Sequence, residues 1–402
     1  MSYFNNTNIQ GSDSPSIDAF GRWRVAAPET LFDSKQIFNN QPLYWDDQEV
    51  SGASTTSTHS VNTASSAMGV AGTTAGKRVR QTYMRFNYQP GKSQLILCTG
   101  TLQKSGGGTG ITRAFGYFDD KNGLFLQDKE GTIQLVKRGF MTGSAVDTEV
   151  DQVNWNLDKL DGTGASGITL DFTKSQILYI DFEWLGVGRV RMGFVVDGKI
   201  YYAHEFNHAN NLSGVYMSTP NLPIRYEIEN DGTGGAATLE HICSSVISEG
   251  GLQKNGTLEH VESNKVTYST AGTKYIALAG RLQAGYFGLS IDIENVSASI
   301  FSNDFGLWQF IAGGTPSETL TYTPVSNSGV EVFKGDGSQT LTGGQLVDGR
   351  WVTAASAIDF NTPNAVRLGS TIDGIPQVFY LCFTPNTNNT SFSATVTWRE
   401  IL

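Results

Sequence analysis

QILYIDFEWLGVGRVRMGFVVDGKIYYAHEF, residues 176–206, reads as three consecutive strands with their turns. Ile177, Tyr179, Asp181 and Glu183 alternate with Leu178, Ile180, Phe182 and Trp184. After Gly186-Val187-Gly188, Val190, Met192, Phe194 and Val196 alternate with Arg189, Arg191, Gly193 and Val195. Asp197-Gly198 leads into a third run carrying Ile200, Tyr202, His204 and Phe206. A period of two means one buried and one exposed face, and Asp-Gly supplies the positive φ values of a tight hairpin. The stretch predicts an antiparallel meander, the frame of a β-sandwich.

The rest of the chain agrees with that frame. In 402 residues there are 46 Gly, 22 Phe and 15 Tyr, with only 16% charged residues, a turn-rich β composition. No long apolar stripe of helical period occurs. A net charge of -10 argues against general nucleic-acid binding, which needs a basic footprint. The one basic run, Lys77, Arg78, Arg80, Arg85 and Lys92, reads as a solvated edge strand rather than a nucleic-acid site. Cys98, Cys243 and Cys382 are too few and too scattered for a disulfide framework or a metal knuckle, and Cys98 and Cys382 lie in apolar runs that bury them. Met1–Ser16 is polar without an apolar h-region, so no secretory signal is expected, and no run is long enough for a membrane span. No membrane insertion is expected.

Four segments follow. Residues 1–76 read as an extended N-terminal arm and linker, with Phe20, Trp23, Phe32 and Trp45 spaced through a polar background. Such aromatics must dock on the chain's own sandwich or on another subunit, and these four are the candidate partner anchors. Residues 77–250 carry about a dozen short strand candidates, among them Val153–Trp155 and Val215–Met217, and suit a jelly-roll sandwich. The domain boundary is expected in EGGLQKN (249–255), residues 251–263 read as a linker, and residues 264–402 form a second, smaller β-sandwich, with Thr319–Tyr322 among its strand candidates.

Four features resemble chemistry. His204-Glu205-Phe206-Asn207-His208 fits H-E-x-x-H, which binds zinc when a helix brings residues i and i+4 onto one face. On a strand those positions are about 13 Å apart, so two imidazoles cannot share one ion. Asp181 and Glu183 share a strand face at a separation that a glycosidase could use. Arg189 and Arg191 on the paired strand make cross-strand salt pairing the simpler account. Gly106-Gly107-Gly108-Thr109-Gly110 lacks the Lys-Ser/Thr of a phosphate loop and joins strands. Turns such as Asp120-Lys121-Asn122-Gly123 lack the full spacing of a calcium loop. Neither a catalytic residue, a metal nor a cofactor is expected.

The Trp-centred strand pair IDFEWLGVGRVRMGFVVDGK resembles the concanavalin/laminin-G-like sandwich of lectin-type modules. SIDAFGRWRVAAPETLFDSKQ, PLYWDDQEVSG, WNLDKLDGTG with SGITLDFTKSQ, and VYMSTPNLPIRYEIEN resemble a family of tailed-bacteriophage virion structural proteins. The resemblance spans residues 16–250, and Tyr275–Phe310 is similar to a C-terminal β-domain that accompanies it. It implies a capsid decoration, head-fibre or tail-associated protein, made in the host cytoplasm and held on the virion by its arm. Its partners would be other virion proteins (capsid, portal or tail) and further copies of itself, trimers included. The alternative is an adhesion module for a receptor or host-surface glycan; a polysaccharide depolymerase using Asp181 and Glu183 ranks third.

Overall fold

The computed structural model of the protein describes residues 27–353, 357–361 and 368–401. Phe20 and Trp23 therefore lie outside the described residues. The chain is all-β. The first sandwich takes β1 (Glu29–Lys35), β2 (Trp45–Gly52), β3 (Thr55–Ser60), β4 (Ser65–Val70), β5 (Gly76–Thr82), β6 (Gln94–Ser105), β7 (Ile111–Phe118) and β8 (Gly123–Lys129). It continues with β9 (Thr132–Gly139), β10 (Val146–Asp151), β11 (Gln176–Phe182), β12 (Val190–Val196), β13 (Lys199–Phe206), β14 (Ile224–Asn230) and β15 (Ala237–Ser248). One sheet has eight strands in the order β13-β12-β11-β6-β15-β4-β3, with β1 also on β15; the facing sheet has seven, β10-β9-β8-β7-β14-β5-β2. Every pairing is antiparallel.

The meander is β11–β13. Its inward set, Leu178, Ile180, Phe182, Val190, Met192 and Phe194, is fully buried against Tyr117, Leu124, Leu126, Ile224 and Tyr226 of the other sheet. Each such side chain contributes about 1.5–3 kcal/mol by leaving water. Asp197 and Gly198 have φ of 48° and 75°, and Val196 pairs with Lys199 across them, the two-residue hairpin that Asp-Gly predicts.

Residues 27–76 correct the expected arm. β1, β3 and β4 join the eight-stranded sheet and β2 joins the seven-stranded one, so this segment is sandwich, not tether. Phe32 and Trp45 are 5% and 2% exposed and belong to the core. As partner anchors they are wrong; they dock on the chain's own sandwich, because β1 and β2 pair with β15 and β5 and turn both rings inward. β5 is likewise no solvated edge. It lies between β14 and β2, and its cations are neutralised in place: Lys77 by Glu227 at 3.3 Å, Arg78 and Arg80 by Asp47 at 2.7 and 3.0 Å.

The second sandwich begins earlier than residue 264. Thr257–Glu262, inside the expected linker, already pairs with Thr390–Ile401. That strand opens a sheet that continues through Ser290–Ile300 to Ala357–Asn361. The facing sheet runs Thr323–Pro324, Val330–Lys334, Tyr275–Leu282, Phe379–Pro385, Phe305–Ala312, Gln345–Thr353. Between them lie Trp308, Phe310, Phe383, Phe392 and Trp398, with Phe383 and Phe392 stacked at 4.1 Å. The sandwiches touch through hydrogen bonds from Ile372 N–H to Asp46 Oδ2 (2.7 Å), from Ser370 N–H to the Tyr83 carbonyl (3.1 Å) and from Asn221 Nδ2 to the Gly288 carbonyl (3.1 Å).

Candidate functional site

Two places concentrate the residues that could meet another molecule. The first is on the outer face of the meander. Cross-strand register sets Asp181 opposite Arg191, and the two form a close ion pair. Asp181 Oδ1 also accepts from Ser93 Oγ (2.9 Å) and Oδ2 from the Tyr202 hydroxyl (3.1 Å). Burial first, then Tyr179 and Asp181, push the Tyr202 phenol up, so it stays a donor. The Arg191 guanidinium lies 4.4 Å from the Tyr202 ring centroid. Glu183 accepts from the Arg189 backbone N–H at 3.2 Å, while the Arg189 guanidinium reaches Glu205 at 3.7 Å. Ser93, Asp181, Glu183, Arg189 and Arg191 enclose a recess of about 210 Å³.

The expected cross-strand salt pairing is therefore present for Asp181 and Arg191, whereas Glu183 is held by backbone. Both oxygens of Asp181 are already occupied by donors. A general acid needs a carboxyl free to carry and deliver a proton. Glu183 and the half-exposed Arg189 at the recess still face solvent.

The two histidines of the zinc-like motif do not converge. The bulge at Ala203 sets His204 opposite Met192, on the core side, while Tyr202 opposite Gly193 stays outside. His204 Nδ1 accepts from Asn156 N–H at 3.2 Å. His208, past the end of β13, stacks on Tyr216 at 4.1 Å and bonds the Gly188 carbonyl through Nδ1 at 2.7 Å. Burial holds both imidazoles below the usual histidine range. Among the described residues no cluster of three or more His, Cys, Asp or Glu could hold a metal ion. Burial pushes the Cys98 and Cys382 thiols up to about 12, which leaves them unreactive packing residues.

The second place is apolar and was not singled out as a site in the sequence. The crossing from β1 to β2 runs over Gln36–Tyr44 and leaves Ile37, Phe38, Leu43 and Tyr44 exposed, Phe38 by 86% and Leu43 by 51%. Leu43 and Tyr44, with Met84, face Leu346, Val378 and Phe379 of the second sandwich across a cleft of about 430 Å³. Leu346 is itself 54% exposed. The crossing thus exposes four large apolar side chains, two of which, Leu43 and Tyr44, border the cleft. The sequence shows this segment to be rich in aromatics, but which of them turn inward is set by strand pairing that only the fold reveals.

No protein-family model and no curated sequence matches the chain. Solved structures similar to it include an endo-1,3-β-glucanase from Streptomyces sioyaensis, at 11% identity over 55% of this chain and 96% of that one, TM-score 0.35. A legume lectin-like domain from Entamoeba histolytica has 9% identity over 54% and 96%, TM-score 0.32. The CBM2 module of an evolved Dit of Lactobacillus casei BL23 phage J-1 has 10% identity over 56% and 98%, TM-score 0.34. Likeness at this level assigns the chain neither activity nor ligand. Among the described residues no helix is long and apolar enough to cross a membrane.

Proposed function

We propose that this chain is a non-enzymatic structural protein of a tailed-phage virion, held on the particle through the Gln36–Tyr44 crossing and the cleft beside it. The observation that carries the reading is Phe38, a large ring 86% exposed at the turn between two strands whose other aromatics are buried. An aromatic anchor of this kind contributes when a partner covers it. The partner is another virion protein offering an apolar face, and the sandwiches project from the contact. The setting rests on the four sequence blocks that resemble virion proteins, all of which contribute residues to the same sandwich as the crossing. Symmetric assembly, with trimers included, fits a surface repeated around a particle axis. Cryo-EM of purified particles tests this: the crossing should be buried against a neighbour, and a map with Phe38 facing solvent would refute it.

The polar recess supports a second reading, a host-surface glycan held by Ser93, Glu183 and Arg189. Glycan-array binding that is lost in Glu183→Gln and Arg189→Ala would support it. Array signal unchanged in both variants would move any glycan site elsewhere.

A further inference from the structure

Beneath the exposed crossing lies a buried polar lock. Arg80, wholly buried on β5, donates from Nη1 to Asp47 Oδ2 (3.0 Å) and from Nη2 to Gln36 Oε1 (3.0 Å) and the Asn40 carbonyl. Its Nε donates to His241 Nδ1 at 3.2 Å. Three of these four partners belong to the crossing or its flanking strand β2. Gln36 is tied further, accepting from Ser66 Oγ (3.1 Å), donating to Ser34 Oγ (3.2 Å), and meeting His59 Nε2 through its carbonyl (2.8 Å). His241 stacks on Tyr226 at 4.0 Å and meets Trp45 at a tilt at 4.5 Å, with Nε2 3.2 Å from Ser244 Oγ.

The hydrogen bonds force one protonation state. Arginine only donates, so His241 Nδ1 must present its lone pair, and the single ring proton sits on Nε2 toward Ser244. A second proton would set an N–H of His241 against the Arg80 Nε–H and place two cations side by side with one carboxylate, Asp47, already shared with Arg78 at 2.7 Å. The other titratable groups nearby cannot compensate. The Tyr226 phenol, stacked on the ring, and the Cys98 thiol beside it are both pushed up by burial and stay neutral. The Cys243 thiol, on the same strand, is pushed up as well. Glu240 turns to the opposite face, onto Ser65 and Lys104 at 2.8 Å each.

We propose that His241 is an acid-sensitive latch on the docking crossing: protonation breaks the Arg80 lock and frees Gln36–Asp47 from the sandwich. This deepens the reading of the crossing as a docking surface and supplies its regulation. Burial and the adjacent Arg80 hold His241 well below the usual histidine range in the closed state. Once the crossing opens, the imidazole recovers an ordinary value near ~6.5. Opening is thus linked to uptake of one proton, and its equilibrium constant rises about tenfold per pH unit below ~6.5.

Hydrogen–deuterium exchange of the full chain tests the latch without any partner. Corrected for intrinsic exchange, protection of residues 36–47 should fall roughly a hundredfold between pH 7 and about pH 4.5. Tyr275–Leu282 in the second sandwich should not change. His241→Gln keeps an acceptor for Arg80 but cannot titrate, and should flatten the response; His59→Gln should leave it as in the wild type. Wild-type protection that holds to pH 4.5 overturns the latch, as does a response that survives His241→Gln or vanishes in His59→Gln. If His241→Gln does not fold, histidine NMR of the wild type decides. A neutral Nε2–H imidazole lost in step with protection of the crossing supports the latch, and one titrating independently of it overturns it. A Phe38→Asp protein that keeps the pH response but still attaches to particles would remove the docking reading and leave the latch standing.

Discussion

Phe32 and Phe38 are six residues apart on one segment, and their fates are opposite. Phe32 packs on Phe86 at 5.1 Å and Trp45 at 6.1 Å in the core, 5% exposed; Phe38 stands 86% exposed. The same contrast separates Trp45, which donates from Nε1 to Ser34 Oγ at 2.9 Å, from Leu43. What differs is backbone pairing. A residue inside a paired strand has its face set by the ladder, and β1 and β2 aim Phe32 and Trp45 inward. A residue in the crossing has no such constraint, and evolution can leave it outside. Aromatic content marks the segment out; only the register tells which of its rings pack internally.

The inward set should dominate stability. Trp45→Ala removes a ring that touches Tyr226, His241 and Arg80, and should cost about 3–5 kcal/mol in denaturant unfolding of the first sandwich. A change under 1 kcal/mol would break the contrast. Asp47→Ala strands the buried Arg80 guanidinium and should cost about 3 kcal/mol, somewhat less than a fully enclosed pair because Asp47 borders solvent. An Arg80→Met, Asp47→Ala double variant should recover part of that loss.

Acid should act next. His204, His208 and His241 all have imidazoles held below their unfolded value. Below about pH 6.5 the unfolded chain binds protons that the folded chain refuses, so stability is full above that pH and declines as pH falls through it. Urea midpoints should drop from pH 7.5 to 5.5. Midpoints that rise over this range would contradict the neutral, buried imidazoles. Smallest is the polar recess: Glu183→Gln touches an exposed carboxylate on backbone and should shift stability by less than about 0.5 kcal/mol.

Much of the fold was legible because period-two patterning and Asp-Gly chemistry act locally. β11, β12 and β13 fall within two residues of their expected spans, and both hairpin residues take positive φ. What stayed hidden depends on distant partners. Val215–Met217 looks like a strand, yet no strand forms there. Tyr216 is buried by stacking on His208 and by its hydroxyl donating to the Glu183 carbonyl at 2.9 Å. Val153 sits in a 3-10 turn, Gln152–Asn154, rather than a strand, and Thr319–Tyr322 forms none. Conversely, β3 and β4 are Ser/Thr/Ala-rich and read as a loop, but Thr and Ser accept strand geometry when β15 offers an edge. The candidate recess was half legible: Asp181 and Arg191 were expected to pair, while the roles of Ser93 and Tyr202 required the fold. The apolar crossing was seen as aromatic-rich, but its inward and outward members could not be told apart before register was known.

On the proposed reading the outward set serves attachment and the inward set serves folding. Binding of the Phe38→Asp, Leu43→Asp double variant to particles that lack this protein, measured alongside the melting curve of the same preparation, tests that division. Stability should stay within about 0.5 kcal/mol of wild type, and attachment should weaken about thirtyfold or more. Full attachment by this folded variant would contradict it.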